Sequence, residues 1–171
     1  MKNKTNLLKL VYISLVAALV CIATLIYVPL PIGYANLGDA VVLTAGFILG
    51  PVAGGLAGGI GAALADLFAG YPAYIPATFV IKVLVAVIAS LIYKAMISGK
   101  KNGLPARIIS AVVAEAFMVL GYYLYEATAL SYGFGGAFAS VGGNLTQALV
   151  CAAVAVIALP AVRKIYEKIK K

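Results

Sequence analysis

The chain has 171 residues, of which 64% are apolar and only 11% are charged, and its net charge is +8. Soluble domains carry about 25% charged residues, so this composition excludes an ordinary soluble globule, and the length corresponds to one domain. The positive charge does not indicate nucleic-acid binding, because the basic residues stand beside apolar segments instead of forming one continuous cluster.

Six apolar segments follow one another, and each is predicted to be a membrane-spanning helix. They cover residues 7–28, 38–50, 51–69, 76–97, 105–130 and 137–160. The first is longer than the apolar part of a signal peptide and no cleavage motif follows it, so we predict an uncleaved span. The second rises only about 20 Å, less than the roughly 30 Å hydrocarbon core. The sequence therefore predicts an all-α membrane protein with a single six-helix domain over residues 1–171.

The basic residues predict the orientation of the spans. All but one of the 13 lysine and arginine residues lie in the tails or near the link between spans four and five. The loops at 29–37, 70–75 and 131–136 carry none. Because basic loops stay in the cytoplasm, we predict that both termini are cytoplasmic. Nearly every polar residue within the spans then falls in the extracellular half, where we expect a ligand pocket.

Lys82 is the exception, because it lies inside span four, while Asp66 lies inside span three across the turn at 70–75. A charge at that depth costs about 2.5–3.5 kcal/mol, so it is rare and usually marks a site. We predict that Lys82 orients a ligand and that Asp66 is its ion-pair partner, with Glu126 as the other candidate partner. Asp39 is predicted to cap the start of span two.

Span five carries a polar stripe. Glu115, Val119, Tyr122 and Glu126 recur at spacings of four, three and four, so they share one face of a helix. A polar face in a membrane helix contacts protein or water, and we place Tyr122 and Glu126 in the pocket. Glu115 lies deeper and either contacts the ligand or pairs within the bundle. Tyr125 fits either the pocket or the membrane interface.

Asn144 and Gln147 share a face of span six, where their amides either contact a ligand or join helices. Tyrosine rings such as Tyr74 are suited to stacking on a flat ligand. The residues predicted to bind substrate are Lys82, Glu126, Asn144, Gln147, Tyr122, Asn36, Tyr74 and Asp66.

Neither catalysis nor a metal site is expected. Glu115 and Glu126 stand about 16 Å apart along the helix axis, whereas glycosidase acid pairs need roughly 5–9.5 Å. Cys21 and Cys151 lie within apolar spans and are predicted to be small buried residues. Since the sequence has no histidine, zinc is not expected. The sequence therefore predicts a binding protein that is not an enzyme and has no cofactor.

Small residues recur four apart on two spans, and this spacing suits either packing within the bundle or docking of a second membrane protein. The candidate docking residues are Ser14, Ala17, Ala18, Cys21, Gly54 and Gly58.

Several segments together resemble the substrate-binding (S) components of energy-coupling factor (ECF) transporters, over residues 10–160. They are Asn36-Leu-Gly-Asp-Ala40, Gly50-Pro-Val-Ala-Gly-Gly55, Ala65-Asp-Leu67, Tyr74-Ile-Pro-Ala-Thr78 with Ile81-Lys82, and Gly143-Asn144 with Gln147. The most similar groups are those for pyridoxine-type or hydroxymethylpyrimidine ligands, followed by the riboflavin-type receptors.

The resemblance implies a multi-pass protein of a prokaryotic plasma membrane that captures a small heteroaromatic vitamin outside, between the first loop and spans four, five and six. It also implies two kinds of partner, a membrane scaffold (T) subunit and two ATPase subunits. Family members often dock through an Ala-xxx-Ala pair on span one, where this chain has Ala17-xxx-Cys21 and Ser14-xxx-Ala18. Thiamine-type receptors use tryptophan, which this chain lacks.

Two other functions remain open from the residues. A stand-alone carrier would couple uptake to protons through Glu115 and Glu126. A non-transport scaffold would use its polar stripe to bind a partner helix and would take no small ligand.

Overall fold

The computed structural model describes residues 2–30, 33–97 and 103–169, and within them the chain forms six helices and one short hairpin. The elements are α1 (Lys2–Leu25), β1 (Tyr27–Leu30), β2 (Gly33–Asn36), α2 (Gly38–Leu49), α3 (Pro51–Ala69), α4 (Ile75–Ile97), α5 (Leu104–Thr128) and α6 (Gly133–Ile169). Five of the helices are long and apolar enough to cross a membrane, and the 12-residue α2 is a shorter apolar helix. The six predicted helices are therefore confirmed in number and order.

The first loop differs from its prediction. Instead of an irregular segment, residues 27–30 and 33–36 form two antiparallel strands in which Tyr27 pairs with Asn36 and Val28 pairs with Ala35. As a result α1 ends at Leu25, earlier than predicted. At the other end of the chain, α6 begins before the predicted residue 137 and continues beyond Pro160 to Ile169.

Helix α3 packs closely on three neighbours because glycines cover much of its surface. A methyl group added at Gly54 would lie 2.6 Å from the carbonyl oxygen of Ala45 on α2. One added at Gly59 would lie 2.9 Å from the carbonyl oxygen of Phe79 on α4. Only a residue without a side chain permits these approaches between backbones. The turn from α2 to α3 also needs glycine, since Gly50 has a φ of 89°.

Four of the six predicted docking residues pack inside the chain, which corrects that prediction for them. Ala17 and Cys21 are buried, and a methyl group at Gly61 of α3 would meet the carbonyl oxygen of Ala17. Gly54 and Gly58 are buried in α3. Small residues at this spacing allow close contact with any helix, and here the neighbouring helices of the same chain occupy the faces. The remaining docking candidates, Ser14 and Ala18, are exposed.

The two ends of the bundle differ in chemistry. One end, the hairpin end, carries the hairpin, the α3–α4 turn and the α5–α6 turn. The opposite end, the basic end, carries the α2–α3 turn and the basic residues Lys94, Arg107, Arg163 and Lys164. The predicted basic loop with Lys100 and Lys101 lies outside the described residues.

Candidate functional site

A cavity of about 510 Å³ lies at the hairpin end, within the usual size range of small-molecule sites. All eight residues predicted to bind substrate line it. Its other lining residues, which were not predicted from the sequence, are Thr24, Tyr27, Ala62, Tyr71, Thr78, Ala139, Ser140 and Gly143. The cavity thus receives side chains from the hairpin, from the α3–α4 turn and from every long helix.

A buried ion pair forms the floor of this cavity. The Lys82 Nζ lies 2.6 Å from Oδ1 and 2.8 Å from Oδ2 of Asp39, and both residues are at most 5% exposed. This corrects two predictions, because the partner is neither Asp66 nor Glu126, and Asp39 does not cap its helix. Since α2 begins at Gly38, Asp39 stands within the first turn and its carboxylate reaches across to α4.

Two amides extend the ion pair toward the hairpin. The Gln147 Nε2 donates to Oδ2 of Asp39 at 2.6 Å, and Asn36 Nδ2 donates to Oε1 of Gln147 at 2.9 Å. The backbone N–H of Gly38 then donates to Oδ1 of Asn36 at 3.0 Å. Asp39 was not predicted to belong to this network, although the position of a charged residue in an apolar helix was a signal.

The wall beside α5 is organised around Glu126. Its Oε1 accepts a hydrogen bond from the Tyr74 hydroxyl at 3.2 Å, and its Oε2 accepts one from Ser140. The ring of Tyr74 also meets that of Tyr125 edge to face, with centroids 6.0 Å apart. Burial raises the pKa of Tyr74 above its ordinary value, and the Glu126 carboxylate raises that pKa further. Tyr74 therefore remains a protonated donor at neutral pH.

Tyr122 connects the wall to the floor. Its hydroxyl donates to Oγ1 of Thr78 at 3.0 Å, and its ring centroid lies 5.2 Å from the Lys82 Nζ, in cation–π range. Tyr122 thus faces the cavity, as predicted. Thr78 precedes Lys82 by one helical turn, and Ser140 precedes Asn144 by the same distance, so helical spacing was the signal that could have identified both.

Two lining groups keep unused hydrogen-bonding capacity. Oδ2 of Asp66 is buried without a hydrogen-bond partner among the described residues. The amide of Asn144 forms no hydrogen bond with the part of the chain that the structure describes, although it lines the cavity. Asp66 Oδ2 can still accept a hydrogen bond and the Asn144 amide can both donate and accept, so both groups are available to a ligand.

Within the described residues, Glu115 makes neither of the two contacts that were predicted as alternatives for it, with a ligand cavity or with an ion-pair partner in the bundle. It is 2% exposed, lies outside the cavity lining and forms no ion pair with a described residue. Both of its carboxylate oxygens lack a hydrogen-bond partner within residues 2–30, 33–97 and 103–169.

Both cysteines are free and buried, as predicted, and Cys151 Sγ donates to the carbonyl oxygen of Asn36 at 3.1 Å. Across the described ranges, no group of three or more histidine, cysteine, aspartate or glutamate residues is placed to hold a metal ion. The cavity instead combines aromatic rings with a few oriented donors and acceptors, which is the chemistry of a binding site for a small polar molecule.

Comparison with known proteins places the chain in a family. A search of curated protein sequences found no match. A family model described as "ECF-type riboflavin transporter, S component" matches residues 4–166, which include every residue of the cavity.

This match confirms the resemblance drawn from the sequence and supports a multi-pass membrane protein. ECF S components are transport subunits and not enzymes, as predicted. The chain therefore belongs to the family of ECF-type riboflavin transporter S components.

Proposed function

We propose that this chain is a membrane receptor that binds riboflavin in the cavity at the hairpin end and presents it for ATP-driven uptake. The observation that carries the proposal is the convergence of aromatic rings and unpartnered polar groups in one cavity of about 510 Å³. The sequence resemblance ranked pyridoxine-type and hydroxymethylpyrimidine ligands first. The description of the matching family now favours riboflavin.

The lining suits a flat, polar ring system. Tyr71, Tyr74 and Tyr122 offer aromatic surfaces that can stack on a heterocycle. Oδ2 of Asp66 and the amide of Asn144 can bond the imide and carbonyl groups at the edge of a flavin ring. Hydroxyl groups such as that of Ser140 are compatible with the polyol side chain.

The charge of the cavity favours a free vitamin over a phosphorylated one. Lys82 is neutralised by Asp39, while Glu126 and Asp66 add acidic groups to the lining. A phosphate would enter a site with two carboxylates and no unpaired cation among the described lining residues. We therefore expect riboflavin to bind more tightly than riboflavin phosphate.

We further propose that the hairpin end faces the outside of a prokaryotic cell and that both termini are cytoplasmic. The distribution of basic residues supports this orientation. A membrane scaffold (T) subunit and two ATPase subunits would energise uptake, as in the family that the chain resembles. On α1, the exposed residues Ser14 and Ala18 are the remaining candidates for contact with the scaffold subunit.

Titration of riboflavin fluorescence with protein purified in mild detergent tests the proposed ligand and site. We expect saturable quenching that Asn144→Ala weakens at least tenfold. Thr146→Ala is the matched control, because Thr146 lies on the same helix outside the cavity and bonds the carbonyl of Gly142. Unchanged affinity in Asn144→Ala contradicts the site. Release of a different vitamin from the purified protein, identified by mass spectrometry, contradicts the ligand.

A proton-coupled carrier is the second candidate, and the buried, unpartnered carboxylate of Glu115 is the observation that favours it. That function predicts riboflavin uptake into protein-containing vesicles under a pH gradient without ATPase subunits. The receptor function predicts binding but no net uptake in the same vesicles.

A further inference from the structure

A second cavity, of about 310 Å³, lies at the basic end of the bundle between α4, α5 and α6. We call it the basic cleft, and its charged lining residues are Arg107, Arg163, Lys164 and Glu167. It shares no lining residue with the cavity at the hairpin end, which is the proposed vitamin site. Neither the binding of a vitamin nor the choice of vitamin explains this concentration of cations.

Arg107 is positioned in the basic cleft by a carbonyl group that Pro160 leaves without a helical hydrogen bond. Proline has no N–H group, so the carbonyl of Val156, four residues earlier, lacks its usual helical donor. The Arg107 Nη1 donates to that carbonyl at 3.0 Å, and Nε lies 3.4 Å from the Gly103 carbonyl. The Nη2 group makes no hydrogen bond to a described residue, so the fixed guanidinium retains donors for a ligand.

Arg163 is positioned by an aromatic ring. Its Cζ lies 5.3 Å from the ring centroid of Tyr93, a residue that is itself buried. Neither Arg163 nor Lys164 forms an ion pair with a described residue. Glu167 is the only acidic residue in this lining, so three cations against one anion leave the cleft with a net positive charge.

Exposed apolar residues lie next to lining residues of the basic cleft in the sequence. Leu104, Ile108 and Ile165 each directly follow a lining residue in the sequence, and all three are exposed. In a membrane protein such side chains contact lipid acyl chains. Unpaired cations beside exposed apolar side chains fit an amphiphilic anion better than a small inorganic anion such as free phosphate.

We propose that the basic cleft binds the phosphate headgroup of an anionic phospholipid, with its acyl chains lying along α5 and α6. Arginine donors suit phosphate oxygens, and basic clefts between membrane helices are suited to anionic headgroups. This site is independent of the identity of the vitamin.

Thermal melting in lipid nanodiscs tests the proposal. Wild-type protein is compared in discs of phosphatidylcholine and in discs that also contain phosphatidylglycerol. We expect phosphatidylglycerol to raise the melting temperature of the wild type, and R163Q/K164Q to lose at least half of that shift. K168Q is the matched control, since Lys168 lies on α6 outside the cleft and should retain the full shift.

Three results would overturn the proposal. The first is a wild-type melting temperature that does not respond to phosphatidylglycerol. The second is an equal response in R163Q/K164Q, and the third is the same shift produced by inorganic phosphate in phosphatidylcholine discs. Equal melting temperatures of wild type and R163Q/K164Q in phosphatidylcholine discs establish that the variant is folded. If that variant melts early, K164Q alone is compared with K168Q, and an equal shift in these two variants overturns the proposal.

Discussion

The Nζ of Lys82 on α4 and the carboxylate of Asp39 on α2 form a buried ion pair, with Nζ 2.6 Å from Oδ1, at the floor of the cavity at the hairpin end. Asp39 stands in the first turn of α2, where the helix dipole favours a negative charge. The Gln147 amide donates to the same carboxylate. Helices α2, α4 and α6 are therefore joined by one polar network at the floor of the cavity.

Asp39→Asn is expected to destabilise the protein by about 3–5 kcal/mol, because it leaves the buried Lys82 ammonium without its counter-ion. Asp66→Asn is the matched control, since Asp66 forms no ion pair with a described residue and should cost much less. Thermal melting in detergent measures both. Equal losses in the two variants would contradict the assignment of Asp39 as the partner of Lys82.

Glu115→Gln is expected to leave the melting temperature unchanged or to raise it. The side chain is 2% exposed and neither carboxylate oxygen has a hydrogen-bond partner in the described chain, so neutralising it removes a buried charge without removing a hydrogen bond. Glu126→Gln replaces a carboxylate that accepts hydrogen bonds from Tyr74 and Ser140. This substitution is expected to destabilise the protein by about 1–3 kcal/mol. A larger loss in Glu115→Gln than in Glu126→Gln would contradict this ranking.

Tyr74→Phe is expected to weaken riboflavin binding about three- to tenfold, because Glu126 loses the hydroxyl that orients it. The aromatic face is kept, so the change isolates the hydrogen bond. Tyr123→Phe is the matched control, since its hydroxyl bonds the carbonyl of Phe134 outside the cavity. Fluorescence titration compares the two affinities. Similar affinities in both variants would show that the Tyr74 hydroxyl does not act on the ligand.

Gly54→Ala is expected to destabilise by about 1–3 kcal/mol, because its methyl group would lie 2.6 Å from the Ala45 carbonyl oxygen. Gly142→Ala meets nothing within 4 Å on α6 and should stabilise by about 0.5–1 kcal/mol. Melting temperatures of the two variants should therefore move in opposite directions. A neutral Gly54→Ala would contradict the close contact of α2 and α3.

The number of helices and eight of the 16 residues that line the cavity could be predicted from the sequence, since both depend on local patterns. Apolar length defines a span, and helical spacing places Tyr122 beside Glu126 and Asn144 beside Gln147. Polar residues in a membrane helix also tend to face the interior of the bundle or a cavity, because contact with lipid is unfavourable for them. These constraints suffice to bring all eight predicted residues to one lining.

The ion-pair partner could not be predicted in the same way. Asp66 is the acid nearest to Lys82 in sequence across the turn, whereas Asp39 is 43 residues away. Which acid reaches the ammonium depends on the rotation of α2 against α4, and that rotation is set by backbone contacts such as those at Gly46. The hairpin was missed for a related reason, because residues 29–37 show no clear strand alternation.

The pairing of Lys82 with Asp39 also bears on how the transmembrane voltage acts on the receptor. An isolated charge that crosses the membrane field gains or loses about 2.3 kcal/mol per 100 mV. The ion pair carries opposite charges only 2.6 Å apart, so its net charge is zero. A displacement of this pair through the membrane field therefore needs little electrical work, whereas a displacement of the carboxylates of Asp66 and Glu126, which form no ion pair with a described residue, would not share that property.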